Sequence, residues 1–595
     1  TAGTFRARWR FLFGTSPVGP WTPLSAPAAN VLDSGATRGQ TVPGSGGWRV
    51  PSVGTTSGYI RQELIADPNV FDISDAPFTI ESPQTITPDS ILQGEITTTI
   101  RLRASKIYGL KGYVYVNDGA QIIIEPGTII VGDIPGENSA LIINRGGKLV
   151  ADGTKERPIV FTSRAAPGQR ARGDWGGVLI CGKARTNNPA GQAALEGGVA
   201  DQQAGGKGWY GGTDDDDSSG VLRYVRIEFA GIATLPNSEL NSLTMGSVGR
   251  RTVLDHIQVS YGNDDGFEWF GGTVNAKHLI SYGILDDDFD CDNGFSGKVQ
   301  FGLVKRFRTV ADVSTSQAFE IDNDNASSYN NPKTSVIFSN ITAIGPLEDT
   351  SWTAGSGANQ YSSRYGAAGQ IRRNARASIF NTVFVGWPRG FEIAQVQTMV
   401  AALGDTLNLR NNSWYGVKNA TFTLAGGTPP AGLDVNWLAT PAFNNVVEKA
   451  NPNNAVLENP WATDNSFSAV PLSAAPYLNS ARFDNASAQV NLGDAFFDKV
   501  DYRGAFAPTG TRWDDGWAEY DPINREYRAQ PVVRVTSPGA AAGESYTVGD
   551  KVTITWDTSG AAGNVFRFEF GTSANGPWTT ITGAASVTEI GRAHV

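Results

Sequence analysis

Two stretches of the chain superimpose on one another. Ser260-Tyr-Gly-Asn-Asp-Asp-Gly-Phe-Glu-Trp269 is followed, some 21 to 22 residues later, by Ser281-Tyr-Gly-Ile-Leu-Asp-Asp-Asp-Phe-Asp-Cys291. A period of that length is too short for a domain. It suits one turn of a parallel β-helix: three strands of about 4–6 residues and three tight corners, each coil stacking on the last at about 4.8 Å. The Phe-acid-x unit returns as Phe319-Glu320-Ile321 and Phe391-Glu392-Ile393. Alternation along a strand then predicts an inward stack of Phe267, Phe289, Phe319 and Phe391, and an outward ladder of Glu268, Asp290, Glu320 and Glu392. The longer gaps, 292 to 318 and 346 to 370, predict loops leaving the coil.

The same texture runs from about Ile91 to Trp517, in short apolar runs such as Tyr113-Val-Tyr-Val116, Ala140-Leu-Ile-Ile143 and Val178-Leu-Ile-Cys181. Long amphipathic helix patterns are absent, so the fold class is all-β. A barrel or sandwich would need hairpin turn signals between neighbouring strands, and few are seen. The 70 Gly in 595 residues fit solenoid corners, which often need positive φ. With 48 Lys+Arg against 58 Asp+Glu and no basic stripe, the net charge of -10 argues against a nucleic-acid partner. No apolar run approaches the length of a transmembrane span. Cys181 and Cys291 are too few for a disulfide framework and read as buried apolar fillers. Scarce Lys, Met and His beside abundant Asn, Asp, Thr, Gly and Trp predict an extracellular or outer cell-surface protein.

The two ends repeat each other. Phe570-Gly-Thr-Ser-Ala-Asn-Gly-Pro-Trp578-Thr matches Phe13-Gly-Thr-Ser-Pro-Val-Gly-Pro-Trp21-Thr at an offset of 557 residues. The expected organisation is the C-terminal part of a module over 1–82, the β-helix over 88–520, and the N-terminal part of a second copy over 532–589. Residues 590–595 continue no strand of the first copy and back-translate into a sequencing-library adapter read in frame, so they are expected to be artefactual. Tyr546-Thr-Val-Gly-Asp-Lys-Val-Thr-Ile-Thr-Trp556 and the closing Asp72-Ile-Ser-Asp-Ala-Pro-Phe-Thr-Ile80 resemble the immunoglobulin-like spacer modules of bacterial surface proteins, which implies partial β-sandwiches at both ends.

The middle resembles a known group as well. Gly109-Leu-Lys-Gly-Tyr-Val-Tyr-Val, Ile143-Asn-Arg-Gly-Gly-Lys-Leu-Val, Gly173-Asp-Trp-Gly-Gly-Val-Leu-Ile and Glu268-Trp-Phe-Gly-Gly-Thr-Val-Asn are similar to the large right-handed parallel β-helix proteins secreted by, or lipid-anchored on, Bacteroidetes-like bacteria. That resemblance, from roughly Gly109 to Trp517, implies a right-handed solenoid at the cell surface and carries no catalytic residues across.

Chemistry concentrates in acidic clusters. Asp288, Asp290 and Asp292 alternate, so on a strand they would share one face. With Asp264 and Asp265 of the coil below they form a candidate Ca²⁺ site of hard oxygen ligands. A cation would also relieve repulsion along the ladder. Stacked pairs, Asp264 and Asp265 against Asp287 and Asp288, are candidate catalytic carboxylates for glycoside hydrolysis at the inverting separation. Against an enzyme stand the lack of a basic cluster near the acids, since Arg372, Arg373 and Arg376 fall in what reads as a separate loop, and the placement of His256 and His278 within strand runs. Glu268, Trp269, Glu320 and Glu392 are candidate ligand-binding residues. Trp175, Trp209, Tyr210, Trp352, Trp387 and Trp414 also count as aromatic faces for glycans.

Taken together, the sequence predicts a non-catalytic structural or adhesive surface protein. It would present a rigid β-helix with possible Ca²⁺, and its partners would be glycans or neighbouring surface proteins. The alternative is a carbohydrate-active enzyme, a polysaccharide hydrolase or lyase using paired carboxylates.

Overall fold

A computed structural model of the chain describes residues 8–23, 32–33, 55–80, 85–132, 138–235, 238–484 and 490–529, with short strand segments after 531. Its centre is a single 26-stranded sheet system wound into a coil. Strands stack in parallel on three faces. The first face runs from Ile100–Leu102 through Gln121–Ile124 and Lys148–Asp152 to Asn408–Arg410. The second includes Ile129–Gly132, Ile159–Ser163, Val383–Trp387 and Ser413–Val417. The third runs from Ala140–Ile143 through Gly177–Cys181, Leu243–Gly246, Phe267–Phe270 and Phe289–Asp292 to Phe422–Ala425.

In the middle coils one long strand bends to serve both the first and second faces: Gly220–Glu228, Val253–Ser260, Ala276–Tyr282, Lys298–Lys305 and Ile337–Ile344. The bend falls at one residue of positive φ in each coil: Tyr224, His256, His278, Phe301 and Asn340, followed by Asn381 and Asn411. Glycine is therefore absent from this corner. A non-glycine residue pays about 1–2 kcal/mol for that conformation, and here the rings stack down the corner, at 4.4 Å for Tyr224 on His256 and 4.2 Å for His256 on His278. His256 and His278 thus sit at corners rather than in straight strand. The strand Lys298–Lys305 also refines the predicted gap after 292: a full coil runs through it, and only the later part is an excursion.

The core is a column of inward side chains. Phe267, Phe289 and Phe319 lie in register, with centroids 5.7 and 5.5 Å apart, Gly369 takes the next place, and Phe391 follows. Cys181 and Cys291 are free and buried.

The segment after about 456 does not coil. It folds back along the outside of the helix, and outward amides of every second coil clasp its backbone. Asn381 exchanges hydrogen bonds with the main chain of Arg482 (3.0 and 2.9 Å), Gln300 with Asp498 (2.8 Å both ways) and Gln258 with Glu519 (2.7 and 2.8 Å). Its end reaches the first coils, where Tyr527 packs with Ile86, Ile107, Ile129, Val131 and Val160. The Tyr527 hydroxyl donates to the buried Glu228 carboxylate at 2.7 Å.

At the N-terminal end, six strands between Arg8 and Ile80 form an antiparallel sheet. The predicted second module and its tail, 532–595, lie largely outside the described residues. Among the described residues no helix is long and apolar enough to cross a membrane.

Candidate functional site

The third face carries the acids. Its outward row reads Thr244, Glu268, Asp290, Glu320, Gln370, Glu392 and Thr423 in successive coils, each in register with the next. Just before each strand the chain turns the corner from the second face, and the corner acids stack too. The backbone N–H of Asp287 donates to Asp265 Oδ1 at 2.7 Å, and that of Gln317 donates to the Asp287 carboxylate. Coil stacking therefore brings 264–268 against 286–290. Asp264, Asp265 and Asp286 form one group, Asp265, Glu268 and Asp290 a second, and Asp287, Asp290 and Glu320 a third, each offering oxygens within 4.8 Å of one another. Because Asp265 and Asp290 are shared, the groups merge into one continuous strip.

Burial, reinforced by the neighbouring carboxylates, raises the pKa values of Asp264, Asp265, Glu268, Asp287 and Asp290 well above the usual range. Burial likewise pushes Asp286 and Asp292 up to about 6. The two ends of the strip are neutralised differently. At one end Glu196, carried in by the excursion between 182 and 217, hydrogen-bonds to Glu268, which needs a shared proton, and Asn241 Nδ2 donates to both carboxyls. At the other, Arg372 donates to Glu320, to Asp322 at 2.8 Å and to Gln370 Oε1 at 3.0 Å, while Arg373 reaches Asp322 at 2.8 Å. Between them, no Lys, Arg or His among the described residues forms an ion pair with Asp264, Asp265, Asp287 or Asp290. Asp290 Oδ1 and Asp286 Oδ1 are buried with no hydrogen-bond partner among the described residues.

Several expected site residues lie elsewhere. Asp288 does not share a face with Asp290 and Asp292: it precedes the strand, turns inward, accepts a hydrogen bond from Ser281 and pairs with the fully buried Arg306 at 3.3 Å. Burial pushes its pKa up to about 7 against the pull of Arg306. Trp269 is inward and 0% exposed, and Trp175, Trp387 and Trp414 are core residues as well, so none offers a face to a sugar. Glu392 is cut off from the strip by Gln370, whose amide donates to it at 2.6 Å, and it pairs with Arg389. Arg372 corrects the separate-loop reading, because it follows Ile371 on the same face. Its position two residues past the ladder was the available signal. Glu196 lies too far along the chain for any local signal.

A second titratable group sits on the opposite side. His278 and His256 place Nδ1 at 2.7 and 2.9 Å from Asp255 Oδ1. Burial opposes ionisation of Asp255, but the hydrogen bonds and charges of the two imidazoles outweigh it and hold its pKa low. Burial also lowers the His278 pKa. Trp513 and Trp517 of the returning segment close over the rings.

Residues 94–456 match the family model described as a pectate-lyase like beta helix domain. No curated protein and no solved structure matches the chain.

Proposed function

The chain belongs to the pectate-lyase-like β-helix family, and from that premise we propose that the carboxylate strip of the third face is the reaction centre of a carbohydrate-active enzyme, a polysaccharide hydrolase or lyase. The observation that carries this reading is the merging of three carboxylate groups around Asp265 and Asp290, where among the described residues no ion pair reaches Asp264, Asp265, Asp287 or Asp290. A scaffold gains nothing from that arrangement, because unpaired buried carboxyls oppose folding at neutral pH.

The strip supplies what glycoside cleavage needs. Glu268, sharing a proton with Glu196, is the proton donor to the leaving oxygen, since raised pKa values keep it protonated at neutral pH. Asp290 and Asp265 are the facing carboxylates. Each offers an oxygen within 4.8 Å of a Glu268 oxygen. Arg372 orients Glu320 at the edge of the strip.

The same donors fit a hard divalent cation such as Ca²⁺: carboxylate oxygens only, one of them, Asp290 Oδ1, buried and unpartnered. Asp265, Asp290 and an ionised Glu268 would hold it; Glu268 would then carry no proton to donate, and the cation would instead supply positive charge toward a sugar oxygen or carboxylate. A second reading, a Ca²⁺-tied rod with a structural or adhesive role at the cell surface, draws support from the continuous aromatic core.

The test is to incubate the protein with acidic and neutral polysaccharides, with Ca²⁺ or with chelator. Reducing ends report hydrolysis, and ultraviolet-absorbing unsaturated uronides report elimination. The expected result is product from at least one substrate and a loss of about 100-fold or more in Asp290→Asn and Glu268→Gln, with both variants still folded. Turnover unchanged in both variants would overturn the assignment. No product from any substrate, with melting that still depends on Ca²⁺, would favour the rod.

A further inference from the structure

The second face buries an amine without pairing it to an acid. Lys305 ends the strand Lys298–Lys305, in register between Tyr282 of the coil below and Ile344 of the coil above. It is 3% exposed, and among the described residues it has no ion pair or hydrogen bond. Its nitrogen rests over the ring of Trp461 at 4.9 Å and that of Phe467 at 6.0 Å. A buried ammonium without an anion costs folding free energy, far more than the neutral amine does. Burial accordingly pulls the Lys305 pKa down to about 7, against a weaker opposing pull from Glu348. At pH 7 roughly half of such a group is free base, against about one part in 2,500 of an ordinary lysine.

The amine is not sealed in. Lys305 lines a cavity of about 540 Å³, with Trp352, Trp461 and Phe307 in its walls and Glu348 at its rim. The excursion after 345 brings Trp352 and the returning segment brings Trp461, so aromatic rings from two elements frame one nitrogen. The guanidinium groups alongside are committed elsewhere: Arg306 to Asp288, and Arg308 to the carbonyls of Gly357 and Gln360. Desolvation in an apolar cavity is the setting that turns a lysine into a nucleophile toward carbonyl carbon.

We propose that Lys305 captures a ring-bearing aldehyde in this cavity as a reversible imine. The amine lone pair adds to the carbonyl carbon and forms the C–N bond. Both amine hydrogens then leave with the carbonyl oxygen as one molecule of water, and C=N takes the place of C=O. The step needs no oxidant or reductant. The tryptophan walls select an aldehyde carried on a flat, apolar ring, and they screen the imine from the water that would reverse the step. The cavity volume falls within the ordinary range for small-ligand sites. This chemistry is separate from the carboxylate strip, which lies on another face.

Incubating the native protein with benzaldehyde, trapping imines at timed intervals with sodium borohydride and mapping the labelled peptides by mass spectrometry tests it. At pH 7 Lys305 is expected to be labelled about 10-fold or more beyond any other lysine, and that ratio should shrink as pH rises to about 10, where ordinary lysines lose their protons too. Lys305→Met keeps the side-chain length and removes the amine. It should abolish the preferential label without lowering the melting temperature. Trp352→Ala should reduce labelling of Lys305 by benzaldehyde about 5-fold or more and leave labelling by acetaldehyde unchanged, which separates selection of the ring from reactivity of the amine. Labelling of Lys305 no greater than that of exposed lysines at pH 7, a ratio that does not fall with pH, or a preferential label that persists in Lys305→Met would each overturn the proposal. Equal loss of both aldehydes in Trp352→Ala, or of neither, would overturn the assignment of a ring-bearing aldehyde.

Discussion

The carboxylate strip makes stability depend on pH in a direction opposite to that of ordinary surface acids. Asp292, two residues beyond Asp290 and just outside the strip, illustrates the size: its pKa moves from 3.8 to about 6, and two units correspond to about 3 kcal/mol. Because the folded-state value is raised, this contribution is fully present below the unfolded pKa. It disappears as pH climbs through the folded one, so the folded chain binds the extra proton between about pH 4 and 6. Asp286 follows the same course, and the more strongly raised acids extend the loss above that window. In chelator the melting temperature should therefore fall as pH rises from about 4.5 to 8, by about 3 °C for each 3 kcal/mol in a helix of this length. Ca²⁺ binds the ionised form, so at about pH 8 a concentration 100 times its Kd should restore about 2.7 kcal/mol, while at about pH 4.5 it should do almost nothing. Differential scanning calorimetry of the native protein and of Asp290→Asn separates this effect from the background of other groups: the variant should show a flatter pH profile and a smaller Ca²⁺ response. Equal Ca²⁺ shifts at both pH values, or identical profiles for the two proteins, would refute the reasoning.

Two further perturbations probe the scaffold. Phe289→Ala removes the ring that touches both Phe267 and Phe319 in the inward stack and should cost about 3–5 kcal/mol in chemical denaturation. A cost below about 1 kcal/mol would mean that the coils do not pack through this column. Tyr527→Phe deletes the hydroxyl that donates to buried Glu228 and should cost about 1.5–3 kcal/mol, with faster proteolysis of the returning segment as the second readout.

Much of the architecture was legible because the repeat carries it. One Phe-acid-x unit fixes both the period and which side of the strand faces in, since alternation leaves no freedom once Phe289 is inside. Asp288 shows where that logic stops. It lies one residue before the strand, and a corner does not obey period two, so its apparent alternation with Asp290 and Asp292 was misleading. Trp269 was assigned outward by residue type, although its spacing of two from Phe267 placed it inward. The cavity lined by Lys305, Trp352 and Trp461 was invisible for a different reason: its walls come from three separate segments of the chain, and no local pattern encodes their meeting.

The returning segment turns the solenoid into a measured object. A stack whose coils touch only their neighbours can gain or lose a coil with little penalty and can fray from either end. Here Asn381, Gln300 and Gln258 each hold a designated stretch of one strand of chain, so an inserted coil would throw every clasp beyond it out of step. The segment acts as a clamp across coils that do not touch one another, and so it opposes the gain or loss of a coil. Because one segment is held by coils as far apart as those of Asn381 and Gln258, opening one coil loosens its hold on the others.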